Sequence, residues 1–184
     1  MRSIIRSAAT TTALLVGVSA ASLAQSDKLA ADVVKDITSL EDKVMKLTAA
    51  MPEAAWAWRP MAGTRSGGEV FQHIATDNYF LPIFLGVSAP AGTNVTNDYK
   101  TAMAYETRKA TREEIVADLT KSFAHLKQAI LATKLEQLSE SVSMFGQTFT
   151  KQQVLILTAT HLHEHLGQLI AYTRSNSIKP PWSN

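Results

Sequence analysis

The chain has no cysteine. It forms no disulfide and offers no thiolate as nucleophile or metal ligand, which suits an oxidising compartment without requiring one. It also lacks an apolar run of the ~20 residues that a membrane-spanning helix needs. The stretch from Ala8 to Ala21 is shorter than that; it follows a basic start at Arg2 and Arg6 and precedes the small-x-small pattern Ser22-Leu23-Ala24. Residues 1–24 therefore read as an export signal cleaved after Ala24, with an uncleaved anchor as the weaker alternative. With no cysteine after the run, a lipoprotein anchor is excluded. The expected mature protein, residues 25–184, is periplasmic or secreted, with no stable membrane insertion after cleavage.

Excess charge of either sign is missing too. Removing Arg2 and Arg6 takes Lys+Arg from 18 to 16, which equals the 16 Asp+Glu. A neutral domain has no electrostatic footprint for nucleic acid. There is no internal repeat, low-complexity segment or linker, and the 46% hydrophobic content suits one globular domain with a real core.

What is present is helical periodicity. Leu29, Val33, Ile37, Leu40, Val44 and Leu47 form one apolar stripe, predicting a helix over about Asp27 to Ala50 that Pro52 closes. Three capping boxes follow, at Ser66–Glu69, Thr111–Glu114 and Thr150–Gln153. The first opens a helix running to about Leu85, where Gly86 stops it and Pro82 kinks or shortens it. The second opens a helix with Ile115, Leu119, Phe123, Leu126 and Ile130 on one side; the third opens a last helix to about Ser175. Residues 88–100 read as a loop, residues 142–149 as a short hairpin or a loop, and Pro180-Pro181-Trp182 as an extended tail. Four such helices predict an all-α, four-helix bundle.

The last helix carries His161-Leu162-His163-Glu164-His165. At ~100° per residue, His161 and His165 share the inward stripe with Leu157, Gln168 and Tyr172, whereas His163 points ~200° away. Two imidazoles at i and i+4 aim at one point, as two ligands of a metal do. His73, on the second helix with Asp77, Phe80 and Phe84 on its side, is the natural third ligand; His125 falls on a helix flank. A lone inward histidine is more often a satisfied core residue, but two together are hard to satisfy without a shared partner. Asp77 and Glu164 are candidate outer partners or general bases, and Gln168 a candidate ligand contact. Trp56 and Trp58 read as core anchors or as a pocket wall.

At these residues the chain resembles the DinB-like (DinB/YfiT) superfamily. The similarity lies in Gly68-Glu69-Val70-Phe71-Gln72-His73-Ile74-Ala75 with Asn78-Tyr79-Phe80, and in His161-Leu162-His163-Glu164-His165-Leu166-Gly167-Gln168 through Tyr172. Met51-Pro52-Glu53 to Trp58-Arg59-Pro60 and Ile178-Lys179-Pro180-Pro181-Trp182 are also similar to members. The resemblance implies a four-helix bundle with a divalent metal on one histidine of the second helix and two of the last, which match His73, His161 and His165. Members include cytosolic metal-dependent thiol transferases and a thiol-dependent isomerase; the export signal sets this chain apart from them.

The expected function is a metal-dependent hydrolase or transferase of the cell envelope acting on a small molecule. The alternatives are a non-catalytic metal- or ligand-binding module, or an interaction protein, including a homodimer through its helix faces. A three-nitrogen set does not select among zinc, nickel, iron, copper and manganese.

Overall fold

The structure, a computed structural model, describes residues 10–183, with side chains from Lys28 onward except Leu135. The start of the expected export signal and the side chains at the expected cleavage point after Ala24 lie outside the described residues. Among the described residues no helix is long and apolar enough to cross a membrane.

Among these residues, six helices follow one another: α1 (Thr10–Ala50), α2 (Glu53–Ala57), α3 (Gly67–Phe80), α4 (Tyr99–Glu106), α5 (Arg112–Ala132) and α6 (Lys151–Ser175). One hairpin, β1 (Ser141–Met144) and β2 (Gln147–Thr150), joins α5 to α6. The fold is an all-α bundle of the four long helices. Both α1 and α3 pack on α5 and on α6, so the four close a ring around one core. Ile37, Leu40, Val44 and Leu47 of α1 meet Phe71 and Ile74 of α3, Leu119, Phe123 and Leu126 of α5, and Val154, Leu162 and Leu169 of α6 there. The α1 stripe is inward only from Ala30 onward; Leu29 remains exposed.

All three capping boxes form. Ser66, Thr111 and Thr150 each accept the backbone N–H of the residue three on, and that Glu or Gln accepts the cap's own N–H. Each box satisfies two otherwise free donors and fixes where its helix begins. For α3 and α6 this start sets the rotational phase of the histidines.

The second helix is shorter than the sequence predicts. Its α-helical part ends at Phe80, and Leu81–Leu85 continue as a 3-10 turn that Gly86 ends at φ 98°. Pro82 is the cause, since it has no N–H to give and its ring crowds the carbonyl four residues back. The segment read as loop over residues 88–100 instead runs into α4, whose N-cap Asp98 accepts from Lys100. A helix of eight residues with one buried side chain, Ala102, has too little periodicity to be seen in sequence, and it holds because it packs on α3. Residues 142–149 do form the hairpin. The tail packs on the core through Ile178 and Trp182.

Between α1 and α3, Trp56 is buried and stacks on Phe71 at 4.7 Å. This tight approach needs a glycine next to it. A Cβ on Gly67 would stand 2.8 Å from the Ala55 carbonyl oxygen and 2.9 Å from Met51 Cε. Gly167, mid-helix in α6, meets nothing within 4 Å. We therefore expect opposite outcomes in urea unfolding. Gly67→Ala should lose about 1–3 kcal/mol through overpacking against a carbonyl that cannot move aside. Gly167→Ala should gain about 0.5–1 kcal/mol through helix propensity.

Candidate metal centre

Two adjacent helices each place a pair of side chains one turn apart. From α3 come His73 and Asp77; from α6 come His161 and His165. One ligand atom from each lies within 4.8 Å of all the others. Asp77 Oδ2 is 3.0 Å from both His73 Nε2 and His161 Nε2, and His161 Nε2 is 3.1 Å from His165 Nε2. His73, Asp77 and His165 are buried, and His161 keeps 30% of its side chain exposed.

The other ring nitrogen of each histidine is already committed. His73 Nδ1 donates to Glu106 Oε2 at 2.8 Å, His165 Nδ1 to Gln168 Oε1 at 3.0 Å, and His161 Nδ1 to Glu164 Oε2 at 3.3 Å. Carboxylate and carbonyl oxygens only accept, so all three Nδ1 atoms carry hydrogen and the Nε2 atoms face one another. Three imidazole lone pairs and a carboxylate oxygen at such separations repel unless positive charge lies among them. Ligands held at ~2.1 Å by one ion stand roughly 3.0–3.4 Å apart in octahedral or tetrahedral arrangements. The separations of 3.0 Å from Asp77 to His73 and to His161, and of 3.1 Å from His161 to His165, lie at the lower end of that range, and the cluster is able to hold a metal ion.

Local electrostatics divide the histidines. The hydrogen bond to Asp77 outweighs burial and raises the pKa of His161 above its ordinary value. Burial pushes His165 down to about 4, so at neutral pH its Nε2 offers a lone pair. Burial works against the charge of Glu106, but His73 and Arg65 overcome it and hold its carboxyl below the usual value.

Glu106 has no sequence signal as a site residue. It lies on α4, which the periodicity does not reveal, 33 residues from His73. Arg65 was missed as well. Its Nε and Nη2 donate to Glu106 Oε1 at 2.8 and 2.7 Å. Its carbonyl accepts from Tyr172, whose hydroxyl accepts from Gln168 Nε2. The chains of support behind His73 and His165 thus meet at one residue in the loop before α3.

The other candidates sort by position. Asp77 stands in the donor set rather than behind it. Glu164 is 75% exposed and sits behind His161. Gln168 lies behind His165 with both ends of its amide engaged, its Oε1 accepting from His165 Nδ1 and its Nε2 donating to Tyr172. His163 points away, pairing with Asp36 at 2.9 Å. His125 packs on Tyr79 outside the cluster. Trp56 anchors the core and Trp58 packs edge-on to Tyr172; neither lines the cavity over the donors.

That cavity has a volume of about 320 Å³. It is lined by His73, Asp77, His161, His165 and Arg65 together with the apolar and aromatic side chains of Phe80, Leu81, Tyr99, Phe145 and Leu157.

Fold and cluster define a helical-bundle protein with a His/Asp donor set between its second and last long helices. Residues 36–169 match the DinB superfamily, and the chain belongs to it. It is similar in structure to a DinB-like protein from Bacillus cereus, with a TM-score of 0.66, 15% identity, and coverage of 83% of this chain and 95% of that one. It is likewise similar to a DinB-like protein from Bacillus subtilis, with a TM-score of 0.59, 17% identity, and coverage of 79% and 92%. No match is found among curated proteins. At these identities the structural likeness establishes the fold.

The histidine environments predict a pH dependence for the metal-free protein. The folded pKa of His165, about 4, lies below its unfolded value near 6.5. Its contribution to stability is complete above pH ~6.5 and is lost as pH falls toward 4. The folded pKa of His161 is raised, so its contribution is complete below ~6.5 and is lost as pH rises through the folded value. Imidazole NMR titration should show His165 neutral down to about pH 4 and His161 charging first. The reverse order would contradict the described burial and pairing.

Proposed function

We propose that His73, His161, His165 and Asp77 hold a divalent metal ion in a hydrolase or transferase acting on a small molecule. One observation carries this reading: all three Nδ1 atoms are tied to acceptors, and all three Nε2 atoms converge with Asp77 Oδ2. A buried set of this kind is costly without a cation. Bound there, the ion would supply Lewis-acid polarisation of a carbonyl or phosphoryl oxygen, or activation of water.

The chain's own residues do the rest. Glu106, Gln168 and Glu164 fix the tautomers and ring orientations of the three histidines. The Asp77 carboxylate offsets part of the ion's charge and holds His73 and His161 to a common point. The apolar lining of the cavity shields the donors from bulk water, which strengthens electrostatic interactions inside it. Glu164, exposed next to His161, is the candidate general base of this reading.

We further propose that residues 1–24 direct the chain out of the cytosol, from the basic start, apolar stretch and Ser22-Leu23-Ala24 pattern. The mature envelope protein should begin at Gln25 by intact mass, and a cytosolic chain retaining Met1 would refute this.

For the site, metal content by mass spectrometry on untagged protein should give about one ion per chain. His161→Ala/His165→Ala should abolish it, and Glu106→Ala should weaken binding about 10–100-fold with the fold intact. Absence of metal from wild type even after zinc, nickel and manganese are added back would sink the reading. With cobalt bound, azide should shift the visible spectrum; an inert spectrum would leave a binding module without catalysis.

A further inference from the structure

The apolar lining of the cavity has features that the metal reading does not use. Phe80, Tyr99 and Phe145 form a triangle of rings. Their centroids are 5.9 Å apart for Phe80–Phe145, 5.5 Å for Tyr99–Phe145 and 6.0 Å for Phe80–Tyr99. Phe80 is buried, but Tyr99 and Phe145 keep 47% and 57% of their surface exposed. Two large rings left half open in the lining of a cavity contribute little to the core.

The backbone under Phe145 is also unusual. Phe145 and Gly146 are the two central residues of the β1–β2 turn, with Met144 paired to Gln147. Both have positive φ, 53° and 73°. A tight hairpin turn of this type favours Asn or Asp at its first central position, because left-handed backbone is unfavourable for a bulky L side chain. The hairpin tolerates that strain and holds an exposed aromatic ring on the wall of the cavity that the donor cluster also lines. Strained residues of this kind concentrate where a site needs a side chain in one place.

We propose that this cavity takes an amphipathic small molecule with an oxygen head for the metal and an aryl arm that seats among Phe80, Tyr99, Phe145 and Leu157. Phe145 is the specificity-determining residue. The proposal rests on the metal reading. A volume of about 320 Å³ is at the small end of ligand pockets, which sets the size of the occupant. Arg65 on the cavity wall is already paired with Glu106, so the polar anchor is the donor cluster itself. Edge-to-face packing at 5.5 Å between Tyr99 and Phe145 is the geometry an aryl arm would extend.

The test compares acetate with phenylacetate on the cobalt-loaded mature protein, read by the visible spectrum and by calorimetry, with cobalt content measured in every sample. Phenylacetate should bind roughly 30-fold more tightly than acetate, as expected for burying most of a ring. In Phe145→Asn that advantage should fall below about fivefold while acetate loses little. Since Asn suits the turn, the melting temperature of this variant should hold or rise, which separates ligand binding from folding. Equal affinities in wild type, failure of both acids to bind, or an advantage that survives Phe145→Asn would overturn the aryl proposal while leaving the metal site standing. Failure to take up cobalt would overturn the metal reading first, and this one with it.

Discussion

The structure turns on a repulsion. Three imidazole nitrogens and a carboxylate oxygen face one another inside a helical bundle, and hydrogen bonds from their far nitrogens hold the three histidines there. Left alone, such a set would protonate or rotate apart, because buried polar atoms without partners are costly. Its rings cannot easily rotate, because a partner holds the far nitrogen of each histidine. Positive charge at the centre is the one element that makes the arrangement favourable. The raised pKa of His161 is one response to that demand, and the donor set is also able to hold a cation.

The rest of the molecule explains how those four groups stay together. The capping boxes at Ser66 and Thr150 set the phase of α3 and α6. The one-turn spacing within each helix then brings two pairs to a single point. Behind them, Arg65 ties the two sides together: its guanidinium holds Glu106 and hence His73, and its carbonyl holds Tyr172, Gln168 and hence His165. Its loop is itself held by the Gly67 N–H bond to the Trp58 carbonyl and by the close approach that only glycine allows at position 67. A disturbance of this loop would thus reach two histidines without touching either.

A third property, the aromatic part of the cavity lining, comes in part from outside the four long helices. The donors lie on long helices, which are rigid. The apolar lining borrows Tyr99 from the start of a short helix and Phe145 from a hairpin turn. Helices carry the donors while connecting segments supply part of the surrounding lining, a division common where rigid scaffolds present a site.

Local rules of the chain by themselves determined the bundle, the three helix starts, the stop at Gly86 and the inward pairing of His161 with His165. Each depends on residues within a turn or two of one another, so periodicity and capping suffice to read them. His73 was legible as a third member of the cluster because it too faces inward, and Asp77 as a neighbour one turn on. Tertiary structure alone decided that Asp77 enters the donor set, that Glu106 stands behind His73, that Gln168 serves His165, and that Arg65 joins them. It also decided that α4 forms and that Phe145 lines the cavity. These are contacts between distant segments, and nothing in a segment's own spacing encodes which other segment it will meet; only packing of the whole bundle brings them within hydrogen-bond reach.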